Sequence, residues 1–121
     1  MYTYEQRSGR LSNGLGLVGI GYSGHGMGVN NPALEEIPNV GPIPVGTYEI
    51  GPACEHPQLG PLAMALIPKL ETDTFGRSGF FIHGDEVGHV GEELASHGCI
   101  ILPRAVRVLV AAATERTLLV E

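Results

Sequence analysis

Ser96-His97-Gly98-Cys99-Ile100-Ile101-Leu102-Pro103-Arg104 changes structural character within a single run. Ser96 to Leu102 reads as a strand with an apolar second half. Pro103 closes it, because proline removes a ladder donor from a strand yet suits the first position of a helix. Beyond it Val106, Leu109, Val110 and Ala113 recur at i, i+3, i+4 and i+7, which predicts a helix with one apolar face. A thiol, Cys99, therefore stands in a strand that feeds straight into a helix.

Upstream, the apolar runs are short and punctuated by glycine and proline. Gly79 to Ile82 predicts a strand that ends at His83-Gly84-Asp85, and Leu62 to Ile67 predicts another. Thr47 to Ile50 follows the rigid turn Val40-Gly41-Pro42-Ile43-Pro44-Val45-Gly46. Tyr2 to Gln6 alternates as a strand before the Ser8-Gly9 turn, with Leu15 to Ile20 as its hairpin partner. Tyr22 to Gly28 is too glycine-rich for regular structure. Asn31 is placed to cap a short helix with Pro32 at its first position. Thr117 to Val120 predicts a closing strand. The chain thus reads as mainly β with one packed C-terminal helix, a single domain over residues 1–121.

Composition agrees with that class: 121 residues with 18 Gly and 9 Pro suit a loop-rich β protein, and 43% apolar residues exclude disorder. A net charge of −6 gives no electrostatic footprint for nucleic acid or an anionic membrane. No run has the length of a membrane span, and Met1 to Arg7 lacks the basic-then-apolar pattern of a signal peptide. The expected form is a monomer made in the cytoplasm, with any extracytoplasmic substrate reached through a secretion system or lysis. Two cysteines make no disulfide framework; Cys54, in a turn-like stretch, reads as an incidental thiol.

The chemistry is carried by His83 and Cys99. A thiol nucleophile needs a base to raise its thiolate fraction, and histidine is the usual partner. Each lies at or beside an apolar strand segment, so if the two strands are neighbours both side chains reach one pocket. Gly98 permits close approach of a substrate to the backbone, and neighbouring amide N–H groups would supply an oxyanion hole. His25, His56 and His89 fall in loops without an assigned task.

Ser96-His97-Gly98-Cys99-Ile100 with an upstream His83-Gly84 resembles the signature of the YkuD-type L,D-transpeptidases. Tyr22-Ser23-Gly24, Asn30-Asn31-Pro32, Asn39 to Tyr48, Phe75 to Phe80 and Ile82 to Asp85 resemble a compact branch of that superfamily, which includes type VI secretion effectors that attack peptidoglycan. The resemblance implies a β-sandwich or barrel-like sheet. It makes Cys99 the nucleophile, His83 the general base and the Gly84 carbonyl the group that orients the imidazole, with Asp85 a rival orienter. Ser96, His97 and Gly98 would shape the oxyanion and substrate side. Larger YkuD enzymes carry an arginine soon after the cysteine; here Ile101-Leu102-Pro103 stands there, leaving Arg77 and Arg104 as candidates to hold a substrate carboxylate.

The implied activity is acyl transfer on peptidoglycan tetrapeptide stems: L,D-carboxypeptidase trimming, D-amino-acid exchange or L,D-transpeptidation. No cofactor and no metal is implied, and an immunity protein is the implied partner of an effector. Two other classes compete. A zinc hydrolase would draw on His83, Asp85, His89, His97 and Cys99, though no recognised zinc spacing is present. A non-catalytic wall-binding module would use the fold without the chemistry.

Overall fold

The computed structural model describes residues 1–85 and 96–121. In chain order the elements are β1 (Tyr2–Tyr4), β2 (Arg10–Asn13), β3 (Gly16–Ile20), β4 (Tyr22–Ser23), β5 (Gly46–His56), β6 (Gly60–Pro68), β7 (Phe81–His83), β8 (Ile100–Ile101), α1 (Arg104–Ala112) and β9 (Thr117–Val120), with 3-10 turns at Gly26–Gly28 and Pro32–Leu34. The strands join in one nine-stranded mixed sheet in the order β3-β2-β1-β9-β5-β6-β7-β8-β4. The fold is mainly β with one C-terminal helix, as the sequence predicts.

Period-two alternation explains the central strands. Tyr48 and Ile50 are buried while Glu49 between them is exposed, and Leu118 and Val120 are buried beside them on β9. These side chains join Tyr2, Tyr4, Met64, Leu66, Ile82, Ile100 and Leu102 in one core. Each fully buried aliphatic contributes about 1.5–3 kcal/mol relative to exposure. The helix closes the core with Val106 and Val110.

Several local expectations are corrected. Leu15 to Ile20 pairs not with the opening strand but with β2, whose polar Arg10-Leu11-Ser12-Asn13 gives no apolar run. Tyr22-Ser23 is a strand despite its glycine neighbours, because it pairs with β8 at the sheet edge. β5 runs on past a bulge between Ile50 and Ala53, so Cys54 lies exposed in a strand and His56 ends that strand. The strand of the Cys99 run shrinks to Ile100–Ile101. On α1 the third buried residue is Arg107, and Leu109 is exposed. The Asn31 cap is present: its Oδ1 accepts the Ala33 N–H at 3.1 Å.

Candidate active site

β7 and β8 are parallel neighbours, with Ile82 opposite Ile100 and His83 opposite Ile101. Ile82 and Ile100 face the core, so alternation turns His83 to the opposite face. Cys99 stands immediately before β8, one residue back from the pair of Ile82 and Ile100. Two residues along a strand and one step across it leave the Cα atoms of His83 and Cys99 roughly 8 Å apart.

The two groups are held differently. His83 is buried, and its Nδ1 lies 2.9 Å from the Gly84 carbonyl. A carbonyl only accepts, so Nδ1 carries the proton and Nε2 is the basic nitrogen. Asp85, the rival orienter, instead accepts the Tyr22 hydroxyl at 2.7 Å. The half-buried Cys99 thiol donates to the Gly79 carbonyl at 3.7 Å.

Ser96 builds the turn that presents the thiol. Fully buried, its hydroxyl donates to the Cys99 carbonyl at 2.6 Å and accepts the Gly24 and Gly98 N–H groups at 3.0 and 3.1 Å. The Gly98 amide, one of the expected oxyanion donors, is therefore already engaged. Ser23 secures the same turn from β4: its Oγ donates to the Gly98 carbonyl at 3.1 Å and accepts the Ile43 N–H at 2.9 Å.

Cys99 opens into a cavity of about 310 Å³ whose wall includes Arg77, Gly79, Phe80, His97 and Gly98. Arg77 lines it, yet its guanidinium is turned to the backbone. Nη1 donates to the carbonyls of Glu35 and Pro42, and Nη2 to those of Gly41 and His97, while the group packs on the Phe80 ring. His97 is exposed, its ring stacked on His25 at 5.0 Å. Arg104 lies elsewhere, exposed at the rim of a larger cavity of about 720 Å³ shared with Tyr22, Asp85 and Ile101. The structure thus brings Cys99, His97, Gly98 and Arg77 together around one cavity and separates Arg104 from them.

Gly98 has φ +130°, and a Cβ there would lie 2.4 Å from Arg77 Nη2. Strain in that backbone region and displacement of a buried guanidinium add. Gly98→Ala is expected to lower the unfolding free energy by about 3 kcal/mol. Urea denaturation with an unchanged slope checks this.

Burial shifts both reactive groups toward their neutral forms. The Cys99 thiol is pushed up, with the Phe81 N–H and Arg77 opposing the rise. The His83 imidazole is pushed down by burial; the Gly84 carbonyl opposes this, and Arg107 and His56 add to it. The resting centre is therefore thiol and imidazole rather than thiolate and imidazolium. Thiolate absorbance lost in Cys99→Ala is expected only above pH 9.0, the ordinary thiol value from which Cys99 is raised. A thiolate step near neutrality would contradict this.

Of the residues suggested for zinc, His89 lies outside the described residues. Among the described residues, no three His, Cys, Asp or Glu side chains gather as a metal-binding group. Sequence reasoning missed Arg107, Gly79, Ser23 and the paired His25; of these, Ser23 and Gly79 stood within stretches that carried the resemblance.

A mixed sheet with His83 ending one strand and Cys99 immediately before the parallel neighbour, and with Ser-His-Gly leading into the cysteine, defines an L,D-transpeptidase-like protein of the YkuD type. The chain belongs to the Tlde1 domain family, whose model matches residues 19–119. That family comprises type VI secretion effectors of L,D-transpeptidase type, which implies a peptidoglycan target and delivery by a secretion system. No match is found among curated proteins. Among the described residues, no helix is long and apolar enough to cross a membrane.

Proposed function

We propose that this chain performs cysteine-dependent acyl transfer on peptidoglycan tetrapeptide stems. The observation that carries the reading is the β7–β8 pairing, which sets the strand ending at His83 beside the one that follows Cys99, with the Nδ1 proton of His83 tied to the Gly84 carbonyl. In the first half-reaction His83 Nε2 takes the Cys99 proton as sulfur attacks the carbonyl between diaminopimelate and the terminal D-alanine. The C–S bond forms, the C–N bond breaks, and imidazolium returns the proton to the departing amine. A thioester remains on Cys99.

In the second half-reaction an acceptor attacks the thioester as His83 removes its proton; the C–S bond breaks, and the proton passes from the imidazolium to the departing Cys99 sulfur. Water yields the trimmed tripeptide, a free D-amino acid yields an exchanged stem, and the amine of another stem yields a cross-link. Neutral resting groups suit this cycle, because the base is unprotonated when substrate arrives. The side chain of His97 and the backbone at Gly98 contact the stem in the cavity. No cofactor takes part. Of the two candidate cations, Arg77 lines this cavity with its guanidinium committed to backbone carbonyls, and Arg104, exposed on the separate larger cavity, is the more accessible to a substrate carboxylate.

Purified chain incubated with diaminopimelate tetrapeptide muropeptides, with Cys99→Ala alongside, tests the reading by mass spectrometry. Loss or replacement of the terminal D-alanine only with intact Cys99 supports it, and the product masses name the acceptor. Binding without turnover by both forms would replace it with a wall-binding module. A protein that kills in this way also needs an immunity partner blocking the Cys99 cavity; a monomeric chain presents that cavity to a single inhibitor. Inhibition of turnover by the partner, at one partner per chain, checks this.

A further inference from the structure

Arg107 is buried on α1, and among the described residues no carboxylate pairs with it. Its Nε donates to the Leu102 carbonyl at 3.0 Å and its Nη1 to the Pro61 carbonyl at 2.7 Å. The remaining nitrogen lies against Gly84. A Cβ built on Gly84 would sit 2.6 Å from Nη2 and 3.0 Å from Cζ. Gly84 is the residue whose carbonyl holds His83 Nδ1, and the His83 carbonyl in turn accepts the Leu102 N–H at 3.1 Å. One guanidinium therefore joins the start of β6, the end of β8 and the turn that carries the imidazole's partner.

We infer that Arg107 is a positioning residue for His83: it fixes the Gly84 peptide so that its carbonyl holds the imidazole with Nε2 as the basic nitrogen, and sets a fixed positive charge behind the ring. The inference rests on the reading of His83 as the base. It also gives a physical reason for the glycine after the histidine, since any side chain at position 84 would push the guanidinium away. Among the described residues, the charged and titratable groups facing the ring are Arg107 from α1, His56 from the end of β5 and Asp85 beyond β7. Arg107 and His56 oppose the imidazolium, and Asp85 favours it. A planar fork bonded to two carbonyls keeps its charge in one place; a flexible ammonium does not.

The test is an NMR titration of the His83 ring in the whole protein, beside kcat and KM measured against pH. Wild type, Arg107→Met, Arg107→Lys and Gly84→Ala are compared. In Arg107→Met the ring is expected to titrate at higher pH than in wild type, because the opposing cation is gone. The acid limb of kcat should move with it, and kcat at its plateau should fall roughly tenfold with KM nearly constant. Arg107→Lys should titrate closer to wild type while still losing turnover, since the charge stays and the fork does not. Gly84→Ala displaces the guanidinium without removing it and should disturb the Nδ1–H signal even if Arg107→Met fails to fold. A ring whose titration and tautomer are unchanged in the folded variants overturns the inference. A ring that moves while the acid limb stays fixed supports the positioning role and instead sinks the reading of His83 as the base.

Discussion

His83→Gln is expected to lower turnover of muropeptide about 10³-fold while KM changes little, a loss within the range for general-base removal. The first half of the proposed cycle uses the imidazole twice, to accept the thiol proton and to protonate the leaving amine. Glutamine can do neither, although its amide can still donate toward the Gly84 carbonyl. Because Cys99 is raised and not depressed, no standing thiolate rescues the first step when the base is lost. Steady-state kinetics beside a thermal melt would check this. Turnover above about a tenth of wild type in a folded variant would be too large for loss of a base.

The second large effect is on stability. Arg77→Met removes a guanidinium that donates to four backbone carbonyls, those of Glu35, Gly41, Pro42 and His97. Buried carbonyls stripped of a charged donor each carry a desolvation cost, and methionine supplies only hydrocarbon. Allowing for relaxation and water entry, the loss is expected near 4 kcal/mol. Set against a typical domain stability of about 5–15 kcal/mol, that is a large share. Chemical denaturation measures it directly. Arg77→Lys should recover only part, because an ammonium cannot reproduce the planar fork. If Arg77 served chiefly to bind a substrate carboxylate, the result would be the reverse: a higher KM and an unchanged denaturation midpoint.

Arg77 also shows where sequence reading stops. An arginine in Phe75-Gly76-Arg77-Ser78-Gly79 presents itself as a free cation, and its acceptors come from segments far away in the chain. Nothing in local spacing reveals that a side chain will be consumed by carbonyls 20 to 42 positions distant. Arg107 is the same case on a helix: the apolar period singled out Leu109, whereas burial took Arg107 because two carbonyls awaited its donors. By contrast β7, the core of β8 and α1 were legible, since apolar runs ending in His83 or Pro103 leave little freedom. β2 and β4 were not. Their residues are polar or flanked by glycine, and their strand character comes from the neighbour that pairs with them. His83 and Cys99 stood out through their motif, and the register that brings them together required the sheet.

β9 lies between β1 and β5, although it is made from residues 117–120. Its Leu118 and Val120 are fully buried, and it pairs with β1 along one edge and β5 along the other. The N-terminal meander and the half of the sheet that bears Cys99 are thus separate until the last strand slots between them. Pairing between such distant segments pays its loop-closure entropy before any contact rewards it, which slows folding. A nascent chain still lacking residues 117–120 leaves both flanking strand edges open and the core unfilled. Completion of the sheet that carries the reactive centre consequently waits on a strand made after Cys99 itself.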